Sequence, residues 1–239
     1  LFRSQNAAYL WVPLIVVGVG LAWFGLRSVP VQATFREQLD IFREKHTWLM
    51  TSLYIMTFGS FSGLSAAFPL LTKQLFGGFE GAPDPLKYAF LGPLVGAGVR
   101  AAAGPFADRL GGAKVTMISA IGLLACAVAI APFASPTSMD QWNGFLFLML
   151  GLFFFSGIGN ASTFKQIPMI FPPRQAGGVI GWTSAIAAFG PFIVNVLLAR
   201  ILGEGTNASP LFMGFAVFYA LNLGINYWYY TRPNAEKPC

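Results

Sequence analysis

Charge is scarce in this chain. Asp, Glu, Lys and Arg make up only 10% of its 239 residues, where a soluble domain carries about a quarter. Histidine occurs once, and the two cysteines are Cys126, inside an apolar run, and Cys239, at the last position. Neither a disulfide framework nor a metal-ligand spacing can be built from these, so no metal and no cofactor is expected. No cluster of His, Cys or carboxylate falls within an apolar run, which argues against a membrane-bound enzyme. The formal charge is +6, but the cations stand singly between apolar runs, which fits loop anchors and not a nucleic-acid groove. The chain opens on Leu1 and not on Met, so it reads as a fragment with no targeting segment to interpret.

What is abundant is apolar surface. Hydrophobic residues reach 55%, with 27 Gly and 24 Phe, and the mean hydropathy is +0.62. Runs of about twenty apolar residues are membrane-helix candidates. Seven are expected, at about 7–26, 47–72, 86–107, 113–133, 143–166, 176–199 and 210–230. Turn chemistry separates them at Gly77-Gly78, Gly111-Gly112, Pro132 to Pro136, Pro172-Pro173 and Gly203 to Pro210. The expected fold class is an all-α membrane protein. Loop cations set its orientation. Arg27, Arg36, Arg43, Lys45, Arg109, Lys114, Lys165, Arg174, Arg232 and Lys237 fall on one side, and Arg3, Lys73, Lys87 and Arg200 on the other. The richer side is expected to be cytoplasmic, with the fragment's N-terminus outside and its C-terminus inside. Seven spans is an odd number for a carrier built on six-helix repeats, so 1–27 is read as the last helix of an absent N-terminal half. Residues 28–46 then form a cytoplasmic connector, in which Phe35, Leu39 and Phe42 at helical spacing suggest an amphipathic surface helix. His46 is expected at the interface. Residues 47–231 make a six-helix bundle and 232–239 a cytoplasmic tail.

Arg100 is the exception to the pattern. It lies inside the third span, about 12 Å from the cytoplasmic end at 1.5 Å per residue, where an arginine costs about 2.5–3.5 kcal/mol or more. All nine acidic residues fall in loops or at span ends, so no carboxylate of this chain is placed to neutralise it. A mobile anion would do so, and a planar guanidinium suits a flat oxyanion; a carboxylate of the absent half is the rival partner. Gly96, Gly98, Ala101, Ala102, Ala103 and Gly104 leave room for a helix or ligand to come close. With no carboxylate at depth, exchange of anions is favoured over proton-coupled uptake.

The fifth span ends in GIGNASTFKQIPMIFP, Gly157 to Pro172. Gly157 and Gly159 bare the backbone to a neighbouring helix or a small solute, and Asn160, Ser162 and Thr163 bring polar groups into a Phe-rich helix. Packing with polar glue and a binding surface are equally good readings of these residues alone. Lys165 is placed to snorkel to the surface. Ser184, beside Thr183, either reaches a pocket or stitches helices together. Asn195, Asn222 and Asn226 are read as interhelical hydrogen-bonders.

Gly157-x-Gly159-Asn160-Ala161-Ser162-Thr163-Phe164 resembles the signature that the nitrate/nitrite porter (NarK-like) family of the major facilitator superfamily carries in the tenth of its twelve helices. Gly98 to Val115 resembles that family's eighth helix and the loop after it, and Thr51 to Pro69 its seventh. The resemblance implies the C-terminal part of a twelve-helix major facilitator fold. It makes Arg100 one of two arginines that clamp nitrate, and puts Tyr54 and Phe58, one turn apart on a shared face, in the wall. Gly157, Gly159, Asn160, Ser162, Thr163 and Ser184 complete the expected substrate surface. PFADRLGGAK, Pro105 to Lys114, implies a tight cytoplasmic turn in which Gly104, Asp108 and Arg109 are conformational-gate or structural residues. The implied activity is nitrate or nitrite transport by antiport with alternating access, in the inner (plasma) membrane. The implied partners are the anion, the bilayer and the absent half of the same carrier. A facilitator for another small anion, such as a carboxylate or organophosphate, is the alternative, and a seven-helix receptor a more distant one.

Overall fold

The computed structural model describes residues 4–27, 39–203, 205 and 207–239, with side chains from residue 8 onward. Among them every regular element is helical. The chain divides into two compact units, Leu1–Phe35 and Arg36–Cys239.

The first unit contains one helix, α1 (Ser4–Gly25), with Pro13 inside it. Its side chains, including Tyr9, Trp11, Ile15 and Trp23, are exposed and apolar. Most of the expected connector, 28–38, lies outside the described residues.

The second unit begins with a short 3₁₀ turn, Leu39–Arg43, and continues through six long helical elements. These are α2 (Lys45–Phe76), α3 (Leu91–Leu110), α4 (Gly112–Ile130), α5 (Trp142–Ile170), α6 (Pro173–Leu202) and α7 (Ser209–Thr231). Six of the seven helices are long and apolar enough to cross a membrane; α3, which carries Arg100, Asp108 and Arg109, is the one that is not. Length and apolar surface together make this a multi-pass membrane protein.

Local chemistry sets the ends. Glu44 caps α2, its carboxylate accepting from the His46 amide at 3.4 Å. Asp84 caps a separate four-residue turn, Pro85–Tyr88, by accepting from Leu86 N at 3.0 Å. The third span was expected from about residue 86, but a break follows Tyr88 and α3 proper starts at Leu91. Gly111 joins α3 to α4 at φ 92°, in the left-handed region that only glycine enters freely.

The long α5 lies at the centre, packed against α3 on one side and α4 on another; α7 covers α4, and α2 pairs with the second half of α6. Phe68, Phe76, Phe145, Phe153, Phe212 and Leu53 fill the interior. The outer face carries Leu94, Phe106, Ile121, Phe147, Phe192 and Val217, all exposed. Burial from water is worth about 1.5–3 kcal/mol for each such side chain, so this surface calls for lipid.

α7 ends in a π-helical turn, Tyr227–Thr231, and two other helices depart from α geometry along their length. In α2, residues Ile55–Gly59 form a π-helical turn. In α6, the helix stops at Ala187 and restarts at Gly190, ahead of Pro191, which has no amide to continue the ladder. The two irregularities meet, because a Cβ on Gly190 would strike the backbone of Gly59.

The expected positions of three polar residues need correction. His46 is buried, not interfacial: its ring bonds the Tyr230 hydroxyl at 3.0 Å and the Glu236 carboxylate at 3.3 Å. Asn195 donates to Pro191 O within its own helix, whereas Asn222 bonds Ser52 of α2 and Asn226 bonds Ala113 of α4. Lys165 does not run to the surface alone, since it is held by α3.

Candidate functional site

Arg100 is the tenth of the twenty residues of α3, so about 15 Å of helix lies on either side of it. Its side chain is exposed and has no ion pair among the described residues. The guanidinium lies 5.7 Å from the ring centre of Phe164 on α5, within cation–π range. Arg100 and Phe164 line an open hollow of about 600 Å³, walled by Ala97, Ala101, Ala161, Pro168 and Ile180, with Lys165 at its edge. The small residues of α3 keep this hollow open, as there is no side chain beyond Cβ at 97 and 101 to fill it.

Aromatic rings continue from Phe164. The Tyr54 ring meets Phe164 edge-on at 5.0 Å and stacks on Phe58 at 5.4 Å with planes 12° apart. Tyr54 is buried and Phe58 half-buried. The Tyr54 side chain also lies near Ser184 of α6 and within the electrostatic reach of Arg100. Arg100 of α3, Tyr54 and Phe58 of α2, Phe164 of α5 and Ser184 of α6 therefore come together from four helices. In the sequence Phe164 is only the last residue of the Gly157–Phe164 motif, and nothing in its spacing gives it this central place.

The glycines of α5 face protein. A Cβ on Gly157 would run into the Gly96 backbone of α3, and one on Gly159 would meet Ser119 and Thr57. Ser162 bonds Thr116 at 2.7 Å and Thr163 bonds Thr57 at 3.2 Å, so both hydroxyls tie α5 to its neighbours. Asn160 is buried, and its side-chain Oδ1 meets no donor among the described residues. Gly157 thus lets α3 approach until Arg100 can reach over Phe164, and Gly159 lets α2 and α4 close on α5.

At the end of α3, Lys165 pairs with Asp108 and donates to Gly104 O at 2.8 Å. Arg109 is exposed. The same end of the bundle holds further cross-ties: Arg174 to Asp40, Lys45 to Glu236 at 2.6 Å, and Ala113 N to Cys239 O at 3.1 Å. Arg174 holds the Asp40 carboxyl below its ordinary range by hydrogen bonding, and Lys45 does the same for Glu236. Two further hollows, of about 390 and 400 Å³, are lined by apolar groups, apart from Ser60 in the first. Neither contains a charge. Among the described residues no three His, Cys, Asp or Glu side chains come together as metal ligands would.

A lipid-facing helical bundle with a mid-helix guanidinium set beside aromatic rings defines a multi-pass membrane protein. No family model matches the chain. It is 61% identical over 235 residues to the probable nitrate/nitrite antiporter NarK2 of Thermus thermophilus, a match covering 98% of this chain and 53% of that protein. It is 33% identical over 265 residues to the nitrate/nitrite transporter NarU of Salmonella typhimurium, covering 99% of the chain and 55% of the relative. It is 27% identical over 234 residues to the nitrite extrusion protein of Bacillus subtilis, covering 97% and 56%. Over nearly its whole length the chain is thus similar to proteins named as nitrate/nitrite antiporters and transporters. It spans about half the length of the curated relatives it matches.

Proposed function

We propose that this chain is the C-terminal half of a carrier that exchanges nitrate and nitrite across the plasma membrane by alternating access. The carrying observation is Arg100, a mid-helix guanidinium with no carboxylate partner among the described residues, which opens into a hollow. A cation so placed is stabilised by a small anion, and a planar fork matches a planar oxyanion. The relatives' names, nitrate/nitrite antiporter and nitrate/nitrite transporter, support the choice of anion. Phe164 and Tyr54 give the guanidinium an apolar flank, so its donors are directed to the open side.

The mechanism follows from electrostatics. An arginine from the absent N-terminal half would face Arg100 across the hollow. Empty, two such cations repel and resist closure; an anion between them lets the halves close and reorient. That requirement enforces exchange. The π turn of α2 and the break in α6 lie beside the site, where irregular backbone can be tolerated because it is covered by protein. Asp108 with Lys165, and Gly104 beneath them, act as the gate at one end. That end, richer in Lys and Arg, faces the cytoplasm, with residues 28–46 connecting the two halves and α1 the last helix of the first.

The test is counterflow of labelled nitrate in vesicles containing the full-length protein. Arg100→Lys keeps the charge but loses the fork and should abolish most of the exchange. Transport that proved indifferent to Arg100→Lys, or nitrite that failed to drive nitrate efflux, would overturn this reading. Uptake of a small carboxylate uninhibited by nitrate would point to the alternative cargo.

A further inference from the structure

We propose that Lys165 is a second anion-binding cation of the same hollow, held in reserve by Asp108 and released to the substrate when one enters. This role rests on the anion-carrier reading above and extends it to a residue outside the arginine site.

The geometry begins with Phe164. Its ring lies beneath Arg100, and Lys165 is its chain neighbour, so one short stretch of α5 presents both groups to the hollow. The Lys165 ammonium crosses to α3, donating to Gly104 O at 2.8 Å and pairing with Asp108. Gly104 and Asp108 lie one and two turns beyond Arg100, hence on the same face of α3. Arg100 and Lys165 therefore flank one opening, from facing helices.

The partnership with Asp108 can be exchanged for another. The Lys165 side chain is 33% exposed and the Asp108 side chain 65% exposed. A carboxylate that open to water is well hydrated without the lysine, and pairs of this kind shift an equilibrium by only a few-fold. An ammonium on a flexible four-carbon stem has three donors and no fixed plane, so it can turn from Asp108 to a guest anion while keeping the bond to Gly104. Water supplies the new shell of Asp108. The anion, already drawn to Arg100 against an otherwise apolar wall, gains a second cation there, which is why the exchange runs toward it.

Such a swap links loading to movement. The Lys165–Asp108 pair is a cross-tie between α3 and α5 next to the Gly111 turn. An anion that captures Lys165 loosens that tie only when the hollow is filled. Substrate occupancy thereby releases the gate.

Equilibrium nitrate binding to the full-length protein, in detergent at low ionic strength, tests this as a cycle. Asp108→Asn frees the lysine and should tighten nitrate binding about two- to fivefold. Lys165→Gln should weaken it, and Asp108→Asn/Lys165→Gln should behave as Lys165→Gln alone. A Kd for Asp108→Asn that is unchanged or weaker, or tightening that survives in the double variant, overturns the proposal. A second measurement needs no variant: saturating nitrate should speed amide exchange at 108–112 in the wild-type protein, and unchanged exchange there counts against the swap. If the wild-type protein binds neither nitrate nor nitrite, the carrier reading itself fails, and this role falls with it. If it binds them but the cycle shows no coupling, only the role of Lys165 is lost.

Discussion

Gly190 lies directly against the carbonyl of Gly59, so that the point where α6 breaks is pressed onto the π turn of α2. Each helix accommodates the irregularity of the other, since neither backbone has a side chain at the contact. A methyl group on Gly190 would have to push two backbones apart. Overpacking of this kind costs about 1–3 kcal/mol. Gly190→Ala should therefore lower the thermal unfolding midpoint of the protein in detergent. Gly98→Ala is the control: a Cβ there meets nothing within 4 Å, and alanine favours a helix over glycine by about 0.5–1 kcal/mol, so its midpoint should hold or rise. Equal losses from both would show that the close approach is not the cause.

Phe164→Leu removes the ring beneath Arg100 and keeps an apolar, somewhat smaller side chain in its place. The cation–π contact is worth about 0.5–2 kcal/mol, and its loss leaves the guanidinium free to swing away from the hollow. Nitrate binding should weaken about two- to thirty-fold while the unfolding midpoint moves little. Retained affinity in Phe164→Leu would mean that Arg100 is positioned by something other than that ring.

Acid should loosen the end of the bundle that holds the C-terminal residues. Lys45, and after it His46, hold the Glu236 carboxyl below its ordinary value of 4.5, and Arg174 holds Asp40 below 3.8. A carboxylate whose folded pKa is depressed contributes stability above its unfolded pKa and loses it as the pH falls through the folded value. The contacts of both should be intact at neutral pH and weaken below about pH 4.5. Amide exchange at 232–239 reads this directly. Glu236→Gln should raise exchange there at pH 7 and flatten its dependence on acid; a profile identical to wild type would exclude this pairing as the tether.

The helices were legible because lipid leaves no other choice: a spanning segment must satisfy its own backbone and present apolar side chains throughout. Runs such as Gly112–Ile130 and Trp142–Ile170 show this without ambiguity. The third span was harder to delimit, since Pro85, the caps and Arg100 interrupt its hydropathy, and its true start at Leu91 depends on the Asp84 turn before it. The π turn at Ile55–Gly59 left no mark in composition; it arises where α2 accommodates Gly190 and Thr163 from other helices. His46 looked interfacial because charged residues surround it in sequence, yet Tyr230 and Glu236, almost two hundred positions away, enclose it.

By itself, the order of residues determined that this chain is a lipid-embedded set of helices, that a single cation stands mid-span without an acidic counterpart, and which family its motifs resemble. Those are properties of composition along one axis, and a bilayer reads that axis directly. The tertiary structure alone decided that Phe164 underlies Arg100, that Gly157 abuts Gly96 and is not left bare for a solute, and that Lys165 is joined to Asp108. These depend on the rotation and depth at which helices distant in sequence meet, and the hydropathy of a span is nearly the same for every such rotation.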